Sequence, residues 1–144
     1  MKAHGEIIMN SDKKIIKAVE QFFSRDVRRD TMLIRSAISI SSVRMDVLPG
    51  SSNSNDAENK MIAYSEAKQR QALIKSAFKL MDTDEATVLE SLYIKGWSTT
   101  KTALTLCVST RSVFRLRKRA LLDFAYCYNM GELLDRMTNG KVTA

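Results

Sequence analysis

The residues best suited to bind a ligand lie near the carboxyl end of the chain, in STRSVFRLRKRALLDFAY at 109–126. The first eleven of these residues include no acid and five cations, which are Arg111, Arg115, Arg117, Lys118 and Arg119. A guanidinium group forms two parallel hydrogen bonds with a phosphate or with the O6 and N7 edge of guanine, and a lysine neutralises phosphate as a point charge. This chemistry suits a polyanion.

An apolar stripe runs through the same stretch at helical spacing, at Val113, Leu116, Ala120 and Phe124. On a helical wheel with Val113 at zero and about 100° per residue, Arg111 lies at about 160°, Arg115 at about 200° and Lys118 at about 140°. These three cations, which we name the cationic ridge, therefore lie opposite the face that packs into a core.

Further polar and aromatic residues flank the cationic ridge, with Ser112 and Arg119 on one side and Thr110 and Phe114 on the other. Residues 82–108 contain two bases and four acids, whereas residues 109–144 contain seven bases and three acids. The whole chain has 23 bases and 16 acids, a net charge of +7. Such a balance favours nucleic acid, an anionic membrane surface or an acidic partner, and its concentration near the ridge favours nucleic acid.

The helix that precedes this region is bounded by two local signals. Glu85 lies three positions after Asp82, a capping-box pattern that predicts a helix start at Asp82. Gly96 suits the left-handed residue that ends a helix. The neighbouring Trp97 is predicted to fill the core where this helix meets the next one.

Two capped helices follow. Ser98 caps a helix over 99–106, and Ser109 caps the cationic helix over about 110–128. Together with the preceding helix they predict a bundle of three helices, with a helix-turn-helix at 98–128.

The spacing within this pair of helices matches a helix-turn-helix. If Thr99 is the first motif position, Ala103 is the fifth, where a small side chain lets the two helices cross closely. Val113 and Leu116 are then the fifteenth and eighteenth positions and face inward. Cys107 is the ninth position, in a turn that often needs a positive φ, where glycine is the easier residue.

The rest of the chain is predicted to be helical apart from one break, which makes the fold class all-α. Pro49 and Gly50, followed by SSNSND, form the strongest break. They separate a helical and extended N-terminal segment at 1–48 and a linker at 49–55 from a helical DNA-binding domain at 56–144.

The remaining elements are assigned more coarsely. Ser11 caps a helix that begins at Asp12, and an alternating apolar pattern over 43–47 predicts a short extended stretch. A long, partly polar helix is predicted over about 56–81, and a last short helix over 131–137.

The residue sets used by most enzymes and metal sites are missing from the sequence. His4 is the only histidine, there is no glycine-rich phosphate loop, and Cys107 and Cys127 lack zinc-ligand spacing. We therefore expect no enzyme activity, no cofactor and no metal, and two small buried cysteines. The start of the chain lacks the apolar run of a secretion signal, and no stretch approaches the roughly 18 apolar residues of a membrane span. These features predict a soluble cytoplasmic protein with no membrane partner.

The stretch from Glu85 to Leu121 resembles the sigma-factor region 4 type of helix-turn-helix, with TVLESLYIKGWSTTKTALTLCVSTRSVFRLRKRAL at its centre. The matching elements are the helix that ends at Gly96, the LCVS turn, SV at 112–113 and RA at 119–120. The order of a long polar helix, this motif and VFRLRKRALLDFA also resembles the ArpU family of phage-type transcriptional regulators of Gram-positive bacteria. That resemblance covers most of the chain after residue 50, and it implies a late-gene activator that recognises promoters near RNA polymerase.

We therefore expect a sequence-specific DNA-binding transcriptional regulator whose cationic helix enters the major groove. Arg111 and Arg115 are expected to contact bases, and the other cations are expected to contact phosphate. The expected DNA-binding residues are Thr99, Thr100, Lys101, Thr110, Arg111, Ser112, Phe114, Arg115, Arg117, Lys118 and Arg119. The expected partners are double-stranded DNA, RNA polymerase and a second copy in a homodimer, because one short helix contacts too few base pairs to find a genomic site.

Two other functions fit the same motif. A phage DNA-packaging protein of the small-terminase kind also joins a helix-turn-helix to an oligomerising helical segment. A minimal sigma-like factor is less well supported, because the segment before Pro49 is short and lacks a cluster of aromatics to capture flipped bases. The apolar Leu122 and Ala125, on the far side of the cationic helix, need cover from a partner subunit or from residues 1–48.

Overall fold

The computed structural model describes the backbone of residues 2–43 and 54–143, and the side chains of residues 11–40 and 55–137. Every regular element within these ranges is a helix. The all-α prediction is therefore confirmed. No helix in the described part of the chain is long and apolar enough to span a membrane.

The described ranges contain seven α-helices: α1 (Lys2–Gln21), α2 (Arg28–Val43), α3 (Ser54–Leu80), α4 (Thr83–Leu89), α5 (Thr99–Leu106), α6 (Thr110–Cys127) and α7 (Glu132–Thr143). Two π-helical turns, at Phe22–Val27 and Glu90–Ile94, and one 3-10 turn, at Tyr128–Met130, connect or extend these helices. The first π-helical turn makes α1 and α2 one continuous helix. This helix extends before the predicted start at Asp12 and reaches Val43, whereas residues 44–47 of the predicted extended stretch lie outside the described residues.

The main core forms where α1 and the first π-helical turn cross α6. Phe23 and Phe124 have ring centroids 4.8 Å apart, and Phe124 stacks on Tyr128 at 5.3 Å. Phe22 completes the group, with its centroid 4.9 Å from that of Tyr128. All four rings are buried, and such pairs add about 0.5–1.5 kcal/mol each beyond the area that they bury. This aromatic cluster anchors the N-terminal segment to α6.

The same core encloses the far side of α6. Ala125 is fully buried and Leu122 packs against the core, which also contains Ile15 and Val19 of α1. Of the two predicted covers for this surface, a partner subunit or residues 1–48, the structure favours the N-terminal segment.

A second, smaller apolar cluster joins the three helices around the cationic stretch. Val88 of α4, Ala103 of α5 and Val113 of α6 are buried together, and Leu92, Leu106 and Leu116 pack around them. The predicted inward positions of Ala103, Val113 and Leu116 are therefore confirmed. Because α6 belongs to both clusters, its orientation about its own axis is fixed along most of its length.

Side-chain caps set the starts of α5 and α6. The Ser98 hydroxyl accepts a hydrogen bond from the Lys101 amide at 3.1 Å, and the Ser109 hydroxyl accepts one from the Ser112 amide at 3.1 Å. Both predicted caps are confirmed. The predicted capping box of α4 does not form, because Asp82 makes no side-chain cap hydrogen bond and Glu85 is buried.

The turn between α5 and α6 depends on one left-handed residue. Cys107 has φ 58° and ψ 42°, and the Val108 amide donates to the Ala103 carbonyl at 3.0 Å. The Cys107 side chain is exposed, so the prediction that both cysteines are buried is wrong at this position. A left-handed backbone brings Cβ close to the carbonyl oxygen, which strains every residue except glycine.

We expect Cys107→Gly to raise the free energy of unfolding by about 0.5–1 kcal/mol, because glycine relieves this strain. Cys107→Ala is the matched control, since it removes the thiol but keeps Cβ. Urea unfolding followed by circular dichroism measures both variants. Equal stability of the glycine and alanine variants would show that the turn is not strained.

Candidate nucleic-acid interface

The cationic ridge is exposed along one side of α6. Arg111, Arg115 and Lys118 are all exposed, and none of them forms an ion pair with a described residue. The opposite face of α6 carries Val113 and Ala120, both fully buried. One helix thus presents three uncompensated positive charges to solvent while its other face is held in the core.

The residues predicted to flank the ridge lie beside it. The side chain of Arg119 is 74% exposed, and its Nε lies 3.9 Å from Glu85 Oε1, a loose ion pair that leaves the guanidinium accessible. Thr110 is exposed and Phe114 is half exposed, whereas Ser112 is partly buried near the start of α6. Phe114 therefore remains accessible to a ligand.

The amino ends of α5 and α6 carry no acid in their first turns. The first turn of α4, in contrast, carries Asp84 and Glu85. Unpaired amides and the helix dipole make an amino end attractive to phosphate, and a nearby carboxylate would cancel that attraction. Thr99 and Thr100 lie at the amino end of α5, where Thr100 is exposed.

A tryptophan flanked by two lysines adjoins the start of α5. The ammonium nitrogens of Lys95 and Lys101 lie 4.8 Å and 4.4 Å from the centre of the Trp97 ring. Trp97 is half-buried and belongs to neither apolar cluster, so it does not fill the core as predicted. Its ring instead holds two cations in place. Lys95 is not among the residues predicted to bind DNA, although the sequence contains the spacing Lys95-x-Trp97.

Arg117 is separated from the ridge by the contacts that it makes. Its Nε donates a hydrogen bond to the Tyr93 hydroxyl at 3.0 Å, and its Nη2 donates to Glu20 Oε1 at 2.5 Å. Tyr93 in turn stacks on Phe23, with ring centroids 5.1 Å apart. Arg117 thus connects α6 to α1 and to the π-helical turn that follows α4, and these contacts occupy its Nε and Nη2.

We expect Arg117→Met to lower the free energy of unfolding by about 1–3 kcal/mol, because Glu20 and the Tyr93 hydroxyl lose their donor. The control is Arg115→Met, an identical replacement at an exposed position, which should leave stability unchanged or raise it by up to about 1 kcal/mol because it removes two like-charged pairs. Urea unfolding of both variants gives the comparison. Similar losses in the two variants would mean that the contacts of Arg117 do not stabilise the fold.

A buried carboxyl lies beneath the cationic helix. Glu85 is only 2% exposed, and its Oε2 has no hydrogen-bond partner among the described residues. Burial, with the nearby Asp123 carboxyl adding to its effect, raises the pKa of Glu85 to about 7, and the positive charge of Arg119 opposes the rise. Glu85 is therefore close to half protonated near neutral pH.

This carboxyl predicts a pH dependence of stability. From the ordinary pKa of 4.5 up to about 7, folded Glu85 keeps a proton that the unfolded chain releases, so its contribution to stability falls as pH rises through this window. Glu85→Gln should therefore be more stable than the wild type at about pH 8, by up to about 3 kcal/mol, and nearly equal at about pH 5.

Thermal or urea unfolding across this pH range measures the difference. The control is Glu90→Gln, which replaces an exposed glutamate of the adjoining π-helical turn. If the advantage of Glu85→Gln did not grow with pH, the carboxyl would not be proton-linked to folding.

Within the described part of the chain, no three His, Cys, Asp or Glu side chains are grouped closely enough to hold a metal ion. No protein-family model, no curated protein and no solved structure matches the chain. The geometry and charge of α5 and α6 are therefore the basis for assigning a function.

Proposed function

We propose that the chain is a sequence-specific transcriptional regulator that binds promoter DNA through a helix-turn-helix formed by α5 and α6. The observation that carries this proposal is the cationic ridge, three exposed and unpaired cations on α6 opposite a fully buried face. The acid-free amino ends of both helices support it, because phosphate binds at such ends.

The dimensions of the ridge suit the major groove. Arg111 and Lys118 are seven residues apart, about 10 Å along the helix axis, and the groove is about 12 Å wide. Arg111 and Arg115 are about 6 Å apart along the axis, close to the distance between base pairs two steps apart. These two arginines contact base edges, and Lys118 and Arg119 neutralise phosphates beside them.

The start of α5 contacts the DNA backbone in this arrangement. Thr99, Thr100 and Lys101 lie there, and Lys95 adds a second cation on the other side of Trp97. A tryptophan ring that holds two ammonium groups reduces the conformational entropy that they lose when they bind phosphate.

A membrane surface fits α6 less well than DNA does. A helix that lies in a membrane interface needs an exposed apolar face beside its cationic face. The apolar face of α6 is already occupied, because Val113, Ala120 and Phe124 have no exposed surface. The cations therefore point to a ligand that binds through charge and hydrogen bonds, as nucleic acid does.

The resemblance to the ArpU family extends the proposal to a phage or prophage late-gene activator that acts beside RNA polymerase as a cytoplasmic homodimer. A DNA-packaging function is the second candidate, because the apolar surface on α2 and α3 described below suits oligomers. A minimal sigma-like factor is disfavoured, since Phe22 and Phe23 of the N-terminal segment are buried and cannot capture flipped bases.

We expect Arg115→Ala to weaken binding to the preferred DNA site by about 5–150-fold, equivalent to about 1–3 kcal/mol, and to relax sequence preference. Selection of bound oligonucleotides from a random pool supplies the site, and fluorescence anisotropy at several salt concentrations measures the affinity. Lys118→Ala should weaken binding to all sequences alike and reduce the salt slope by about one.

Arg28→Ala is the matched control, because it removes one exposed arginine of α2 and changes the net charge equally. It should leave sequence preference intact. The proposal would be refuted if the chain did not bind duplex DNA at low salt, or if Arg115→Ala retained both the affinity for the preferred site and the sequence preference of the wild type.

A further inference from the structure

Part of the fold projects beyond both apolar clusters. Most of α2 and the first part of α3, residues 31–43 and 54–64, contribute no side chain to either cluster among the described residues. We name this pair of helices the arm. At its base, Arg70 donates two hydrogen bonds to the buried Asp30 carboxylate, Nε to Oδ2 at 2.6 Å and Nη2 to Oδ1 at 2.9 Å. This bidentate pair fixes α2 against α3 where the arm begins.

An apolar groove of about 650 Å³ runs between the two helices of the arm. Most of the residues that line it are apolar, including Leu33, Ile38, Ile40, Met61 and Tyr64, and Lys60 also lines it. Ile38 is 62% exposed and Met61 is 64% exposed, on opposite walls. Two helices alone cannot enclose large side chains, so the groove leaves apolar side chains on both of its walls exposed to solvent, and contiguous exposed apolar side chains are a feature of interaction sites.

The charge of the arm favours a second copy of the chain as its occupant. Residues 31–43 and 54–64 contain two bases and two acids, so the other 120 residues hold 21 bases and 14 acids and carry the entire net charge of +7. Two copies that approach through this neutral segment meet no net repulsion there, whereas DNA and acidic proteins gain nothing from it.

The charges within the arm are also complementary between its two helices. Arg35 is the only charged residue of the α2 part, and it is exposed. The α3 part, residues 54–64, carries Asp56, Glu58 and Lys60, all exposed, which gives it a net charge of −1 against +1 for the α2 part. A two-fold arrangement in which α2 of each copy lies beside α3 of its partner therefore brings opposite net charges together.

We propose that the groove of the arm binds the same groove of a second copy of this chain. The two arms form an antiparallel four-helix bundle that buries Ile38 and Met61 of both copies. The cationic helices lie outside this bundle and remain exposed. This inference deepens the proposed function. Only the purpose of the dimer rests on that function, because a dimer presents two recognition helices and contacts twice as many base pairs as one copy.

Sedimentation velocity of the full chain without DNA, at about 1 to 100 µM, tests the dimer. We expect a dimer whose dissociation constant rises at least about tenfold in Ile38→Glu, since a carboxylate cannot be buried in the groove without a partner. Ile62→Glu is the matched control. Ile62 is 55% exposed but does not line the groove, so this variant should dimerise as the wild type does.

Met61→Glu, on the opposite wall, repeats the test independently, and circular dichroism shows whether each variant keeps its helices. A monomeric wild type, a dimer that both groove variants leave unchanged, or a ring of more than two copies would each overturn the inference. DNA binding is scored separately. A monomer that binds DNA would refute dimerisation through the arm and leave the proposed function intact. A dimer that does not bind DNA would refute the proposed function and leave dimerisation through the arm intact.

Discussion

Burial of the apolar face of α6 is the constraint on which the rest of the structure depends. Val113 lies in the cluster with α4 and α5, and Ala120 and Phe124 lie in the main core with α1 and α3. A rotation of α6 by one residue, about 100°, would expose these side chains and bury an arginine. The same packing that stabilises the fold therefore determines which cations face solvent.

The sequence predicted the elements whose signals are local. Ser98 and Ser109 are each followed by a helical apolar pattern, and both act as caps in the structure. The long α3 was predicted over about 56–81 and spans Ser54–Leu80. Caps and helical periodicity involve neighbouring residues only, which is why one sequence is enough to recognise them.

Long-range contacts escaped prediction. Arg117 was grouped with the cations of α6, but its partner Glu20 lies 97 positions earlier in the chain. The helical wheel held a partial signal, since Arg117 lies only about 40° from Val113, near the core face. Glu85 was assigned to a helix cap and is instead buried beside α6. Both residues carry charges whose roles depend on which helices pack together, and local spacing does not contain that information.

The cationic ridge is unfavourable for the isolated fold. Arg111 and Arg115 are four residues apart, as are Arg115 and Arg119, and each such like-charged pair destabilises a helix by about 0.2–0.5 kcal/mol. The ridge also begins near the amino end of α6, where the helix dipole disfavours cations. Burial of Val113 and Phe124 offsets this cost, at about 1.5–3 kcal/mol for each large side chain. A bound polyanion would turn the same repulsion into attraction, so the feature that weakens the free protein is the one that the proposed binding of DNA requires.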